Sequence, residues 1–184
     1  MRLFTGIKLP TEIKKKIYSI TQDFRKIKSI KWVEMENLHI TLKFIGEVEE
    51  KKYFEIANLL EKVNFSEFEI ILQNGGVFPN YHNPKVIWIG VSFKEGTLDK
   101  LFYEIEEKLE VIGVKKENRK FKPHLTLGRV KKRSGIEEVL REIRGDKFKN
   151  FRENFLVKEF TLFESILKRE GPIYSEKNIY RSLR

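Results

Sequence analysis

Two of the three histidines in this 184-residue chain stand in the same short frame. His39-Ile40-Thr41-Leu42 recurs as His124-Leu125-Thr126-Leu127. An imidazole titrates near neutral pH and can give or take a proton. A threonine hydroxyl two residues on can donate to an anionic oxygen. Two matched imidazoles in one chain suggest a general acid working with a general base. That pair can move a phosphodiester bond without a metal or a covalent intermediate.

The frame suits a strand, where successive side chains alternate between faces. His39 and Thr41 would then share one face, with Ile40 and Leu42 on the other. The same parity groups His124 with Thr126 against Leu125 and Leu127. The apolar pair anchors the strand, and the polar pair is held on rigid structure facing a cleft. Lys43 shares parity with His39 and is a candidate to reach phosphate, the alternative being a solvent lysine on the strand edge. Strict alternation turns Arg129 away, but Gly128 could permit a bulge that re-aims it, where a guanidinium would grip phosphate bidentately. His82 lies in the loop Pro79–Pro84 without a threonine partner and reads as an exposed loop residue. Trp32, Trp88 and Tyr174 are aromatic candidates for stacking a base, although Trp88, in an apolar strand, reads first as core. The basic stretch Lys115, Lys116, Arg119, Lys120 and Lys122 could equally steer RNA or form a solvated loop.

The surrounding pattern predicts the elements that carry these residues. Strands are expected at 3–7, 30–33, 37–46, 65–72 and 86–93. The fourth of these should end at a Gly75-Gly76 turn. Helices are expected at 12–27, with Thr11 as N-cap, and at 49–63, 97–110 and 136–144. A second motif strand is expected at 123–130. Residues 154–167 and 173–183 read as a terminal hairpin. Short hairpin-like links favour α+β with antiparallel sheets. The spacing of the motifs, near half the chain, suggests two similar lobes related by a pseudo-twofold, sharing a central cleft that carries both His-x-Thr-x motifs. All of 1–184 would form one bilobal domain.

Lys and Arg total 37 against 27 Asp and Glu, a net charge of +10. That balance suits a polyanion such as nucleic acid. The Lys- and Glu-rich composition also fits a thermophile's ion-pair strategy. There is no cysteine, which excludes disulfides, thiolate chemistry and Cys-ligated zinc. No apolar run is long enough to span a membrane, and the N-terminus lacks the apolar core of a signal peptide. A cytoplasmic, soluble monomer is the expectation. Two histidines without a neighbouring carboxylate pair make a poor metal site, so neither metal nor cofactor is expected.

With these flanks the chain resembles the RNA 2′,3′-cyclic phosphodiesterase family, also called 2′-5′ RNA ligase, within the two-histidine phosphoesterase superfamily. The resemblance rests on Arg2-Leu3-Phe4, Leu38–Gly46, Phe78-Pro79, Pro84–Trp88, Phe121–Arg129 and Gly171–Tyr174. It implies a bilobal α+β fold and hydrolysis of a terminal RNA 2′,3′-cyclic phosphate to a 2′-phosphomonoester. It also implies reversible 2′-5′ RNA joining, and tRNA-like ends or tRNA halves as substrates. By the same resemblance His39 is the proton donor, His124 the base, Thr41 and Thr126 hold the phosphate, and Arg129 assists. The alternatives are a non-catalytic RNA-binding module and a phosphodiesterase for a small cyclic nucleotide or ADP-ribose cyclic phosphate.

Overall fold

A computed structural model describes residues 1–169 and 171–183. The strands are β1 (Arg2–Lys8), β2 (Ile30–Trp32), β3 (His39–Glu47), β4 (Phe68–Phe78), β5 (Val86–Phe93), β6 (His124–Val130), β7 (Arg152–Val157), β8 (Glu159–Leu167) and β9 (Pro172–Arg181). The helices are α1 (Thr11–Thr21), α2 (Glu50–Leu60), α3 (Leu98–Glu110), α4 (Glu137–Ile143) and α5 (Asp146–Lys149). The strands form one antiparallel sheet ordered β7-β4-β5-β6-β3-β1-β8-β9, with β2 paired to β6. The α+β antiparallel expectation holds.

The motif strands β3 and β6 meet at the middle of this order, and four strands lie on each side. Strand, helix and motif strand recur twice, as β1-α1-β3, with the short β2 inserted before β3, and as β5-α3-β6. The strand that closes each repeat crosses to the other side: β4 pairs β5, and β8 pairs β1. This exchange gives the fold its pseudo-twofold and ties the halves together.

Amphipathic helices cover the face opposite the motifs. Helix α3 buries Leu98, Leu101, Phe102, Ile105 and Leu109 and packs on β3. Ile40 and Leu125, the apolar partners inside the two motifs, are both fully buried on this side. Burial of such side chains is worth about 1.5–3 kcal/mol each, which fixes the register of both motif strands.

Several expectations need correction. Helix α1 starts at Thr11 without a side-chain cap and stops at Thr21, followed by a 3-10 turn at Gln22–Phe24. Gly75-Gly76 is not a turn, because β4 runs through it to Phe78. Asn74, at φ 59°, carries the irregularity instead. The two glycines admit close neighbours: a Cβ on Gly75 would lie 2.7 Å from Phe148, and one on Gly76 2.2 Å from Trp88. The terminal hairpin is only β8–β9. Residues 152–157 form β7, which joins β4 in the other half, with the break at Lys158.

Candidate active site

Strands β3 and β6 touch through a single residue pair, Ile40 with Leu125. The antiparallel register through that pair sets His39 opposite Thr126 and Thr41 opposite His124. Ile40 and Leu125 point into the core, so all four polar side chains rise from the other face. His39, Thr41, Thr126 and Arg129 line a cleft of about 480 Å³, together with Arg2, Phe4, Asn37, Phe44 and Tyr174, among others.

Both imidazoles are oriented alike. His39 Nδ1 lies 2.7 Å from the Asn37 carbonyl, and His124 Nδ1 lies 2.9 Å from the Lys122 carbonyl. A carbonyl only accepts, so each ring carries its proton on Nδ1 when neutral. Nε2 is thereby left as the reactive nitrogen. The Thr41 hydroxyl, 3.0 Å from His39 Nε2, donates to that nitrogen when the ring is neutral.

The surroundings of the rings differ. His39 packs against Phe4 at 4.9 Å, Tyr174 at 5.1 Å and Phe163 at 6.0 Å. Gly6 runs beneath it, so close that a Cβ there would lie 3.3 Å from the ring. His124 meets Phe78 edge-on at 4.9 Å. Desolvation within the aromatic wall is the main cause that pushes His39 down to about 4, with Lys14, Arg129 and His124 adding repulsion and the Asn37 carbonyl opposing it. His124 is also lowered, first by burial and then by Arg129. Tyr174 is raised by burial.

Bulges decide which later residues reach the cleft. The β1–β3 register skips Leu42, and the β5–β6 register skips Leu127, the equivalent residue. Each bulge reverses the alternation. Arg129 is therefore turned to the cleft face, and Lys43 is turned away. Lys43 is a correction to the sequence expectation: it is 2% exposed and pairs with Glu106 of α3 at 2.6 Å. Its ammonium also donates to the Lys115 carbonyl at 2.5 Å. A side chain held in that buried pair does not contact a ligand in the cleft.

Phe44 was missed. It is 63% exposed, lines the cleft and occupies the position in β3 that Arg129 holds in β6. The signal was present in the sequence, since each stands five residues after its motif histidine. Among the aromatic candidates, Tyr174 lines the cleft. Trp32 is buried and donates its indole N–H to the Phe24 carbonyl. Trp88 pairs with Thr126 on the cleft side of the sheet and packs on Phe78 at 5.0 Å. His82 is exposed, in a turn closed by the Asn80 side chain. Among the described residues, no group of three or more His, Cys, Asp or Glu side chains converges as for a metal ion. Among the described residues no helix is long and apolar enough to cross a membrane.

The family profile described as LigT like Phosphoesterase matches twice, at residues 7–88 and 91–174, once in each repeat. An RNA 2′,3′-cyclic phosphodiesterase of Methanocaldococcus jannaschii is 44% identical over 95% of this chain and 96% of its own length. One of Archaeoglobus fulgidus is 38% identical over 98% of this chain and 99% of its own length. Among solved structures, E. coli LigT complexed with 3′-AMP superposes with a TM-score of 0.82 at 26% identity, covering 100% of this chain and 98% of that one.

Proposed function

The chain belongs to the LigT-like phosphoesterase family, and from that premise we propose that it is an RNA 2′,3′-cyclic phosphodiesterase. It acts as a cyclic phosphodiester hydrolase, as its full-length relatives are named. The observation that carries the reading is the matched pair of imidazoles, each with Nδ1 on a backbone carbonyl and Nε2 left for proton transfer.

In the reaction, His124 Nε2 takes a proton from water as the water oxygen attacks phosphorus. The bond from phosphorus to the 3′ oxygen breaks, and the charged His39 delivers its Nε2 proton to that oxygen. A 2′-phosphomonoester and a free 3′-hydroxyl result, with both histidines in exchanged protonation states that solvent resets. Thr41, Thr126 and Arg129 hold the non-bridging oxygens, where donors aimed at developing charge contribute most. The chemistry needs no metal. With an RNA 5′-hydroxyl attacking phosphorus in place of water, the same steps break the bond to the 3′ oxygen and form a 2′-5′ linkage, and the reverse of that reaction restores the cyclic end and the 5′-hydroxyl. The unit is one bilobal domain over 1–184, a cytoplasmic monomer, with tRNA halves among its candidate substrates.

The test is incubation with EDTA and a short RNA ending in a 2′,3′-cyclic phosphate. A product that resists a 3′-specific phosphatase, and that fails to form with His39→Ala or His124→Ala, supports the reading. An unchanged cyclic end, or loss of turnover on chelation, overturns it.

A further inference from the structure

One end of the cleft carries, beside Arg129, cations that the hydrolytic chemistry does not use. Lys31 of β2 stands directly opposite Arg129 in the β2–β6 pairing, and both are exposed. Like charges facing each other across two strands are destabilising, a repulsion that an anion lying between them would relieve. Lys31 also reaches the turn of the β8–β9 hairpin, where its ammonium lies 3.7 Å from the position a Gly171 Cβ would take. Lys168 closes that turn through mutual backbone bonds with Gly171 at 3.1 and 3.2 Å, and Lys168 and Arg169 are exposed at its tip. The hairpin is fixed to the catalytic half, because the Asn37 amide donates to the Pro172 carbonyl at 2.9 Å. Leu167 and Pro172 form the lip of the cleft below it. Arg129, Lys31 and the hairpin turn that carries Lys168 thus set basic residues from the cleft to its rim, here called the ridge. None of the three belongs to an ion pair among the described residues.

The other basic segment is placed differently. The loop at 115–122 begins on the back of the sheet. There Lys115 is tied to Lys43, Lys116 to Glu110 and Glu117 to Glu106, and Phe121 stacks on Phe102 of α3 at 4.0 Å.

We propose that the RNA strand behind the cyclic end leaves the cleft over this ridge, with Lys31 and Lys168 gripping backbone phosphates upstream of the reacting one. This rests on the RNA reading above. It makes the hairpin tip the element that distinguishes an RNA end from a lone cyclic nucleotide.

The test compares a nucleoside 2′,3′-cyclic phosphate with an oligonucleotide of about ten residues carrying the same end. Lys31→Glu, Lys168→Glu and their combination are measured beside Lys120→Glu in the opposite loop. Equilibrium binding of the 2′-phosphate-ended oligonucleotide is followed in parallel. The double variant is expected to lose roughly tenfold more kcat/KM on the oligonucleotide than on the nucleotide. Its log–log salt dependence of binding should flatten by about 1.4, at about 0.7 per single-strand phosphate contact. Equal losses on both substrates, or a larger loss in Lys120→Glu, overturn the ridge. If the wild type hydrolyses neither substrate, the functional reading fails, and the binding series still decides whether RNA follows the ridge.

Discussion

Binding of substrate should move the titration of His39 by about three pH units, and the shift separates the pH profile of kcat/KM from that of kcat. In the empty cleft the aromatic wall holds His39 down at about 4, and His124 is also below its ordinary value of 6.5. The pairing proposed for the reaction, with His39 charged and His124 neutral, is then the minor one in the free protein, because His39 is the more strongly lowered ring. Its population is flat between the two titrations and falls away on either side. A phosphodiester monoanion about 4 Å from an imidazolium attracts it by ~4 kcal/mol at an effective dielectric of about 20. At 1.36 kcal/mol per pH unit, that lifts His39 to about 7. Because kcat/KM reports the free protein and kcat the complex, the alkaline limb of kcat/KM should lie below 6.5 and that of kcat near 7 or above. Proton-coupled NMR of the two rings assigns the limbs, with His39 titrating near 4 alone and near 7 with a bound phosphate ester. A kcat/KM profile that stays level from pH 6.5 to 8, or a His39 titration that ignores phosphate, would refute the electrostatic argument.

His39→Ala and His124→Ala should each lower turnover by two to four orders of magnitude, and the double variant should cost little more because the two act in one step; single-turnover hydrolysis of a cyclic-ended RNA reads this. The His39 shift also links pH to stability. Its folded value lies below the unfolded 6.5, so the contribution is complete above pH 6.5 and is lost as pH falls toward 4, by roughly 3 kcal/mol. Urea unfolding at pH 7 and at 4.5 should show that slope, reduced in His39→Gln. Lys43→Met alone leaves Glu106 charged and buried, and should cost about 3–5 kcal/mol; adding Glu106→Leu should return most of it, as read by the denaturation midpoint. Gly76→Ala drives a methyl into Trp88 and should destabilise by about 1–3 kcal/mol, seen as a lowered Tm with a disturbed indole fluorescence.

The sequence exposed what depends on local period. The two His-x-Thr frames, β1, β5, α3 and the apolar faces of the helices all follow from alternation or helical spacing, and so does the α+β class. It hid what depends on a partner strand. Strict alternation placed Lys43 beside His39, but a single skipped residue at Leu42 sent it into the core, where Glu106 meets it. No periodicity marks such a bulge, because its cause is the register with β1. Gly75-Gly76 looked like a turn for a similar reason. Their lack of side chains serves Phe148 and Trp88, residues remote in sequence. The split of residues 152–167 between β7 and β8 was invisible because both pieces are good strands, and only the exchange between halves assigns them to different neighbours.

That exchange bears on the chemistry. A pseudo-twofold fold gives two equivalent imidazoles, whereas acid–base catalysis needs them to hold opposite protonation states. The symmetry is broken in the shell around the motifs. Gly6 lets His39 settle among Phe4, Phe163 and Tyr174, while the matching place beside Thr126 is filled by Trp88, and His124 keeps one aromatic neighbour, Phe78. Five residues after each histidine, the same bulge delivers an apolar Phe44 on one side and a cationic Arg129 on the other. Arg129 lowers both rings and so favours the neutral form of each. The dry wall stands at His39, the proposed acid, where an arriving phosphate would make the charged ring stable. A proton is therefore loaded on His39 chiefly when there is an ester to receive it.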